Sequence, residues 1–198
     1  MRSTFPETSG STILRKKTAY SGNFLLFNSV GQSMSQLMSQ HAGISIGSKI
    51  LIVDGHSMIF AWSDLAERHR RRTASARDEL VRRLNTLQDA SDWHVVVVFD
   101  GKGAQATEAS EPGGIQVFYS KSGQTADTVI ERLTAKYAGE FHVTVATDDL
   151  MERTTVASLG GQSMGSQELS RELEAGLRMI DEKIRSLRHP RRQRRPPP

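Results

Sequence analysis

The feature that most constrains the fold is a series of short apolar runs that end in aspartate. Residues 49–53 are followed by an Asp-Gly pair at 54–55, and residues 94–99 by a second pair at 100–101. Short apolar runs bounded by turn signals are typical of strands buried on both faces of a parallel sheet. None approaches the roughly 18–20 apolar residues that cross a bilayer, so we expect no membrane span and no membrane partner.

Segments with helical spacing alternate with these runs. Leucines spaced three and four apart predict a helix over 76–90, and similar patterns predict helices over 126–137 and 166–187. Residues 115–119 and 141–146 predict two further strands. Because short links between strands and helices force right-handed crossovers, we expect an α/β fold with a central, mostly parallel sheet of four to five strands.

Composition divides the chain into three parts. Its 198 residues suit one domain with tails, and 37% apolar residues is low against the roughly 45–50% of globular chains. Residues 188–198 contain five arginines and no acid, whereas residues 49–187 carry 17 basic and 21 acidic residues. We therefore predict a disordered leader at 1–47, one domain at 48–187 and a basic Arg/Pro-rich tail at 188–198.

The leader leaves alternatives open. It is rich in serine and poor in acids, which also fits a transit peptide, and Met34 and Met38 leave open a later start of translation. The chain has no cysteine, which excludes a disulfide scaffold, a zinc ribbon and a cysteine nucleophile. We expect a cytoplasmic protein, and the oligomeric state stays open.

Aspartates cluster at one predicted edge of the sheet. Asp54, Asp100 and the pair Asp148/Asp149 follow strands, and Asp127 opens the helix after the third strand. Each alone could be a turn residue or a helix cap. Together they would repel one another and raise one another's pKa unless a divalent cation is bound. Ligands beyond the carboxyl ends of parallel strands, and oxygen donors only, favour Mg²⁺ or Mn²⁺ over zinc.

Neighbours of these aspartates are candidates for supporting or substrate-contacting roles. Glu131 lies one helical turn after Asp127, a like-charge spacing that destabilises a helix unless both acids gain from its N-terminal dipole. His56 and Ser57 directly follow the first Asp-Gly pair. His56 could instead be a hydrogen-bonding residue of the rim, and Ser57 could simply begin a helix.

Mg²⁺ held by carboxylates commonly serves phosphodiester hydrolysis, by polarising the ester and stabilising the leaving oxygen. Basic residues could hold such a polyanion, although each group could equally be a solvated surface. We place the first group in a loop beside the acidic rim and the second in the tail: Arg70, Arg71 and Arg72, then Arg191, Arg192, Arg194 and Arg195. A P-loop and a GxSxG elbow are absent, which excludes those two classes of enzyme.

Five segments resemble one family in order and spacing. They are VDGHSMIFAW (53–62), VVVVFDG (95–101), SGQTADTVIERL (122–133), VATDDLMER (145–153) and SMGSQELSREL (163–173). They resemble the YacP-like NYN domains, relatives of the PIN-domain ribonucleases, over about 49–185. The resemblance implies a PIN-like three-layer α/β/α sandwich with an acidic Mg²⁺ or Mn²⁺ site for RNA cleavage.

The resemblance assigns catalytic and metal-binding roles to Asp54, Asp100, Asp127 and Asp149. Asp148 then fills the variable place of an ATxD element, and Ser166 opens a Ser-x-Glu element at the last helix. The family often has DGYN where this chain has DGHS at 54–57, which alters an expected substrate contact. The loop 102–114 carries two glutamates, which suit phosphate poorly, and we interpret it as a mobile lid.

Three hypotheses follow. The first is a metal-dependent endoribonuclease, and the second is a non-catalytic RNA- or ribosome-binding module that keeps the fold. The third, a phosphotransfer or phosphatase domain with an aspartate nucleophile, is weakest. Haloacid-type phosphatases need an aspartate two residues after the first, where this chain has His56, and receiver-like sites need a lysine that is missing after the fourth strand.

Overall fold

The structure, a computed structural model, describes residues 47–101, 114–120 and 123–188. In chain order the elements are β1 (Lys49–Asp54), α1 (Gly55–Ala61), α2 (Ser63–Arg71), α3 (Thr73–Ala90), β2 (Trp93–Phe99), β3 (Gln116–Tyr119), α4 (Ala126–Tyr137), β4 (His142–Ala146), α5 (Leu150–Ser158), β5 (Gln162–Met164) and α6 (Ser166–Arg188). The predicted leader, except Gly47, lies outside the described residues, as do most of the loop 102–114 and the tail beyond Arg188. The domain boundaries therefore stay predictions.

All five described strands are parallel, in the order β3-β2-β1-β4-β5. The central strand β1 pairs with β2 from Lys49↔Trp93 onward and with β4 from Lys49↔His142 onward. The predicted α/β fold with four to five mostly parallel strands is confirmed, and within the described chain the sheet has five. The carboxyl ends of β2, β1 and β4 therefore lie side by side at one edge.

Alternate side chains of β1 enter two separate cores. Leu51 and Val53 pack with residues of α1, α2, α3 and α6, whereas Ile50 and Ile52 pack with residues of α4 and α5. Successive strand residues point to opposite faces, so a strand that is apolar throughout needs a helical layer on each side. This is the expected three-layer α/β/α sandwich.

Several elements differ from the sequence-based prediction. Helices α1, α2 and α5 and strand β5 were not predicted, and α3 begins three residues earlier than expected. Arg70 and Arg71, predicted in a loop, end helix α2, and Arg72 links α2 to α3. That stretch is rich in charge and has only Leu65 buried, so its sequence carries little apolar periodicity.

Gly55 allows α1 to begin directly at the end of β1. A Cβ atom at this position would overlap the ring of Phe99, which is fully buried at the end of β2. The two strand ends can therefore approach closely only because residue 55 has no side chain. Among the described helices, none is long and apolar enough to cross a bilayer.

Candidate metal centre

Three carboxylates meet beyond the strand ends. Asp54 ends β1, Asp127 lies in the first turn of α4, and Glu152 lies in the first turn of α5. One oxygen from each lies within 4.8 Å of the others, and we call these three residues the acid trio. The three residues differ in exposure: Asp127 is open to solvent, whereas Asp54 and Glu152 are only 9% and 5% exposed.

The trio is electrostatically strained. Burial raises the pKa of Asp54 to about 6; the backbone N–H groups of Ser57 and His56 oppose this shift, and the charges of Asp127 and Asp100 add to it. Burial likewise raises the pKa of Glu152 to about 7; the Thr147 hydroxyl opposes the shift, and neighbouring acids reinforce it. The two buried carboxyls therefore retain their protons to a higher pH than ordinary carboxylic acids do.

Glu152 also lacks partners. Within the described part of the chain, neither of its buried carboxylate oxygens has a well-formed hydrogen bond, although the Thr147 hydroxyl is close. A buried carboxylate without a partner is costly, and such groups in native proteins call for an explanation. A hard divalent cation bound by oxygen ligands would supply the missing partner and relieve the repulsion. The donors of the trio are all carboxylate oxygens, which fits Mg²⁺ or Mn²⁺.

Asp100, predicted as a metal ligand, lies beside the trio but is held by hydrogen bonds. Its Oδ1 atom accepts from the Ser120 hydroxyl at 3.1 Å and from the backbone N–H of Ala126 at 2.5 Å. Its carbonyl oxygen accepts from Arg77 at 3.0 Å. Asp100 thereby ties the end of β2 to the start of α4, and its charge still acts on Asp54.

His56 connects α1 to Asp100. Its Nδ1 atom accepts the backbone N–H of Asp100 at 3.2 Å and lies 3.9 Å from the Oδ2 atom of that residue. Burial and the charges of Arg77 and His69 lower the pKa of His56, against the pull of Asp100. A neutral imidazole with Nδ1 accepting follows from this geometry.

Asp149, also predicted as a ligand, caps helix α5. Its Oδ1 atom accepts from the backbone N–H groups of Met151 at 2.7 Å and Glu152 at 3.3 Å. This is an ordinary N-cap, which satisfies donors that the first turn of a helix leaves free. The cap also places Glu152 in the trio, and the charge of Asp149 contributes to the raised pKa of Glu152.

Asp148, Ser57 and Ser166 join β4, α1 and α6. The Ser57 hydroxyl accepts the backbone N–H of Asp148 at 2.9 Å, and Oδ1 of Asp148 accepts the N–H of Ser166 at 2.8 Å. Burial acts to raise the pKa of Asp148, but the Ser166 hydroxyl and N–H and the charge of Arg153 hold it below its usual value. We call Asp148, Ser57 and Ser166 the junction.

The remaining predicted residues lie apart from the trio. Glu131 is half-buried one turn further along α4. Arg70 and Arg71 both form ion pairs with Glu67, whereas Arg72 forms none with any described residue. The four tail arginines lie outside the described residues.

Sequence reasoning missed two residues. Glu152 follows Asp149 by three residues, so the D-x-x-E spacing of a capped helix was available as a signal once a helix was placed there. Arg77, which contacts the Asp100 carbonyl and lies over the rings of Phe99 and Tyr119, had no such signal, because it is one of many arginines on a charged helix.

A three-layer sandwich with acids gathered beyond its parallel strands defines a PIN-like domain of the nuclease type. The family model of the YacP-like NYN domain matches residues 51–196, and the chain belongs to this family. The predicted family is thereby confirmed.

Known relatives agree. The chain is 32% identical over 142 residues to the uncharacterized protein YacP of Bacillus subtilis (strain 168), a match covering 70% of this chain and 82% of that protein. Two crystal structures of Rae1 (YacP) from Bacillus subtilis, the first of them of a mutant with a single substitution, are similar to this chain at 30% identity and a TM-score of 0.60. They cover 70% of this chain and 82% and 80% of theirs.

Proposed function

We propose that the chain is a metal-dependent endoribonuclease that hydrolyses phosphodiester bonds of RNA. The observation that carries this proposal is the acid trio, with two buried carboxyls of raised pKa and, on Glu152, two buried oxygens without a well-formed hydrogen bond to the described residues. Perturbed carboxyls gathered at a rim are typical of functional sites rather than of structural ion pairs. Membership of a nucleic-acid-associated family supports RNA as the substrate.

Asp54, Asp127 and Glu152 would hold Mg²⁺ or Mn²⁺, with Asp100 and Asp149 as neighbouring acids. The cation, when bound, supplies Lewis-acid chemistry that polarises a phosphodiester and increases the acidity of water. Glu152 would lose its proton when a cation binds, because only the carboxylate form is a ligand. Asp100 fixes the relative positions of β2 and α4, and thus of Asp127, through its bond to Ala126.

RNA would approach a rim whose own charge is negative, so basic segments outside the trio would attract it. The end of α2, with Arg68 to Arg72, and the tail arginines are the proposed contacts. We include in this proposal that the protein acts in the cytoplasm and contacts the ribosome. Only 6% of the residues are aromatic, so we expect no extended stacking platform, and contacts to the RNA backbone and its shape would supply most of the recognition.

The test is cleavage of an end-labelled RNA by the full chain in Mn²⁺, Mg²⁺ or EDTA. Asp54→Asn and Asp127→Asn should each lower the cleavage rate at least about a hundredfold. Mutating a residue that only hydrogen-bonds to a metal ligand typically costs less than this. Asp181→Asn, an exposed acid on α6, is the matched control and should cleave like the wild type.

Equal rates for the two variants and the wild type would show that the trio is not the catalytic site. Tight RNA binding without cleavage in either metal would favour the non-catalytic binding module instead.

A further inference from the structure

Phe60 is an exposed aromatic side chain on α1, the helix that begins directly after Asp54 of the acid trio. It lies on α1, six residues after Asp54, which corresponds to about 9 Å along a helix. Its residue is 61% exposed, although a side chain of this size is usually buried. A large ring that stays in solvent on the helix leading away from a candidate metal centre offers its face to a ligand.

Two histidines hold the Phe60 ring in place. The ring of His69, on α2, meets it edge-on at 5.0 Å between centroids, and the ring of His56 lies roughly parallel to it at 6.2 Å. His56 in turn contacts Asp100 through its Nδ1 atom. The aromatic cluster is therefore attached to the acidic rim at a fixed position.

The end of α2 adds positive charge to this aromatic cluster. His69 is flanked by Arg68 and Arg70, and Arg71 and Arg72 follow. Arg70 and Arg71 are engaged by Glu67, whereas Arg68 and Arg72 are exposed and form no ion pair with any described residue. Stacking rings combined with nearby cations are the means by which proteins hold single-stranded nucleic acid.

We propose that Phe60 stacks an unpaired nucleobase next to the phosphodiester at the acid trio, while Arg68 and Arg72 contact flanking phosphates. This inference rests on the proposed function and specifies its substrate class as single-stranded RNA. A paired base could not present its face to the ring, so a duplex is excluded from this contact. Stacking has no sequence requirement, because every base offers a flat face.

The test is equilibrium binding of a fluorescent single-stranded RNA to the full chain in EDTA, where cleavage is absent. Phe60→Ala should weaken binding about five- to hundredfold, the range for loss of one stacked base. Phe60→Trp should bind at least as tightly as the wild type. Met179→Ala, which removes a similarly exposed apolar side chain (60%) on α6, should have no effect.

A second readout reports stacking directly. RNA containing a single 2-aminopurine should lose fluorescence on binding to the wild type and to Phe60→Trp, and keep it with Phe60→Ala. Thermal melting of Phe60→Ala should match the wild type within a degree or two, since the ring is exposed. Unchanged affinity and unchanged quenching in Phe60→Ala would overturn the inference, as would wild-type binding that is no stronger to single strands than to a duplex.

The two proposals fail separately. Loss of quenching in Phe60→Ala together with absence of metal-dependent cleavage would retain the stacking surface and reject the endoribonuclease. Cleavage that depends on Asp54, together with RNA binding and quenching that do not depend on Phe60, would retain the endoribonuclease and reject the stacking surface.

Discussion

The acid trio and the junction lie on the same rim of the sheet, yet their carboxylates are in opposite states. Asp148 accepts hydrogen bonds from Ser166 and lies near Arg153, and its pKa is lowered. Glu152 has no well-formed hydrogen bond, and its pKa is raised to about 7. The donors that reach Asp148 and are missing at Glu152 therefore distinguish these two acids more clearly than their place at the rim. Asp54 also accepts a backbone N–H, that of His56 at 3.0 Å, and it differs from Asp148 through its burial, which raises its pKa.

The largest contrast is expected in catalysis. Glu152→Gln should lower RNA cleavage in Mn²⁺ at least about a hundredfold, because it removes an anionic ligand from the trio. Asp148→Asn should stay within a few-fold of the wild type, because the amide oxygen still accepts the N–H of Ser166. Comparable losses in both variants would erase the distinction between trio and junction.

The next largest effect is expected in stability, where β1 and β2 approach each other closely at Gly55. Gly55→Ala should lower the free energy of unfolding by about 2–3 kcal/mol, since its Cβ would force the buried ring of Phe99 to move. Gly139→Ala is the matched control, because nothing lies within 4 Å of an added Cβ there. Urea unfolding of both variants measures the difference. A neutral Gly55→Ala would show that β1 and β2 need no close contact at this point.

A smaller effect distinguishes the junction from the acid trio by the free energy of unfolding. Asp148→Ala should cost about 1–2 kcal/mol, because it leaves the N–H of the buried Ser166 without its acceptor. Asp127→Ala should cost little or should stabilise the metal-free protein, because it removes an exposed charge that repels Asp54. Urea unfolding in EDTA at pH 8 compares them, and a larger loss for Asp127→Ala would contradict the account.

The smallest expected effect has a defined dependence on pH. Glu152 has a pKa near 4.5 when unfolded and about 7 when folded, so the fold favours its protonated form. Ionisation of Glu152 therefore destabilises the metal-free fold progressively as the pH rises from about 4.5 through 7, and not below. Glu152→Gln should thus stabilise the metal-free protein by about 1 kcal/mol at pH 8 and leave it unchanged at pH 4. The gain at pH 8 is smaller than the full free energy of the pKa shift, because the buried amide would also lack a well-formed hydrogen bond to the described residues.

Thermal melting in EDTA across this range measures the effect. Equal stabilisation at both pH values would attribute the effect to packing rather than to charge.

Much of the fold was predictable because the strands are apolar on both faces. The runs at 49–53 and 94–99 require helical layers on either side, and Asp54 and Asp127 then lie at the same edge of the sheet. Helices α1 and α2 were not predictable in this way. They are short or highly charged, and tertiary contacts such as the burial of Leu65 stabilise them instead.

The composition of the trio was only half predictable. Asp100, Asp148 and Asp149 follow strands just as Asp54 does, and nothing in the sequence says which of these four acids will be buried beside Asp127 and which will be held away from it by donors of other elements. Those donors, such as the N–H of Ala126 and that of Met151, come from the starts of other helices. Glu152 entered the trio through the cap that Asp149 provides, a relation that appears only once α5 is placed.

The most direct test of the central claim is calorimetric titration of the full chain with Mn²⁺ at pH 7.5. We predict saturable binding that releases protons and that is weakened at least tenfold in Asp54→Asn and Glu152→Gln, but not in Asp181→Asn. Affinity should fall as the pH is lowered from 7.5 to 5.5, because the buried carboxyls regain their protons. Equal Mn²⁺ affinity in all four proteins would contradict the claim that the acid trio is a metal site.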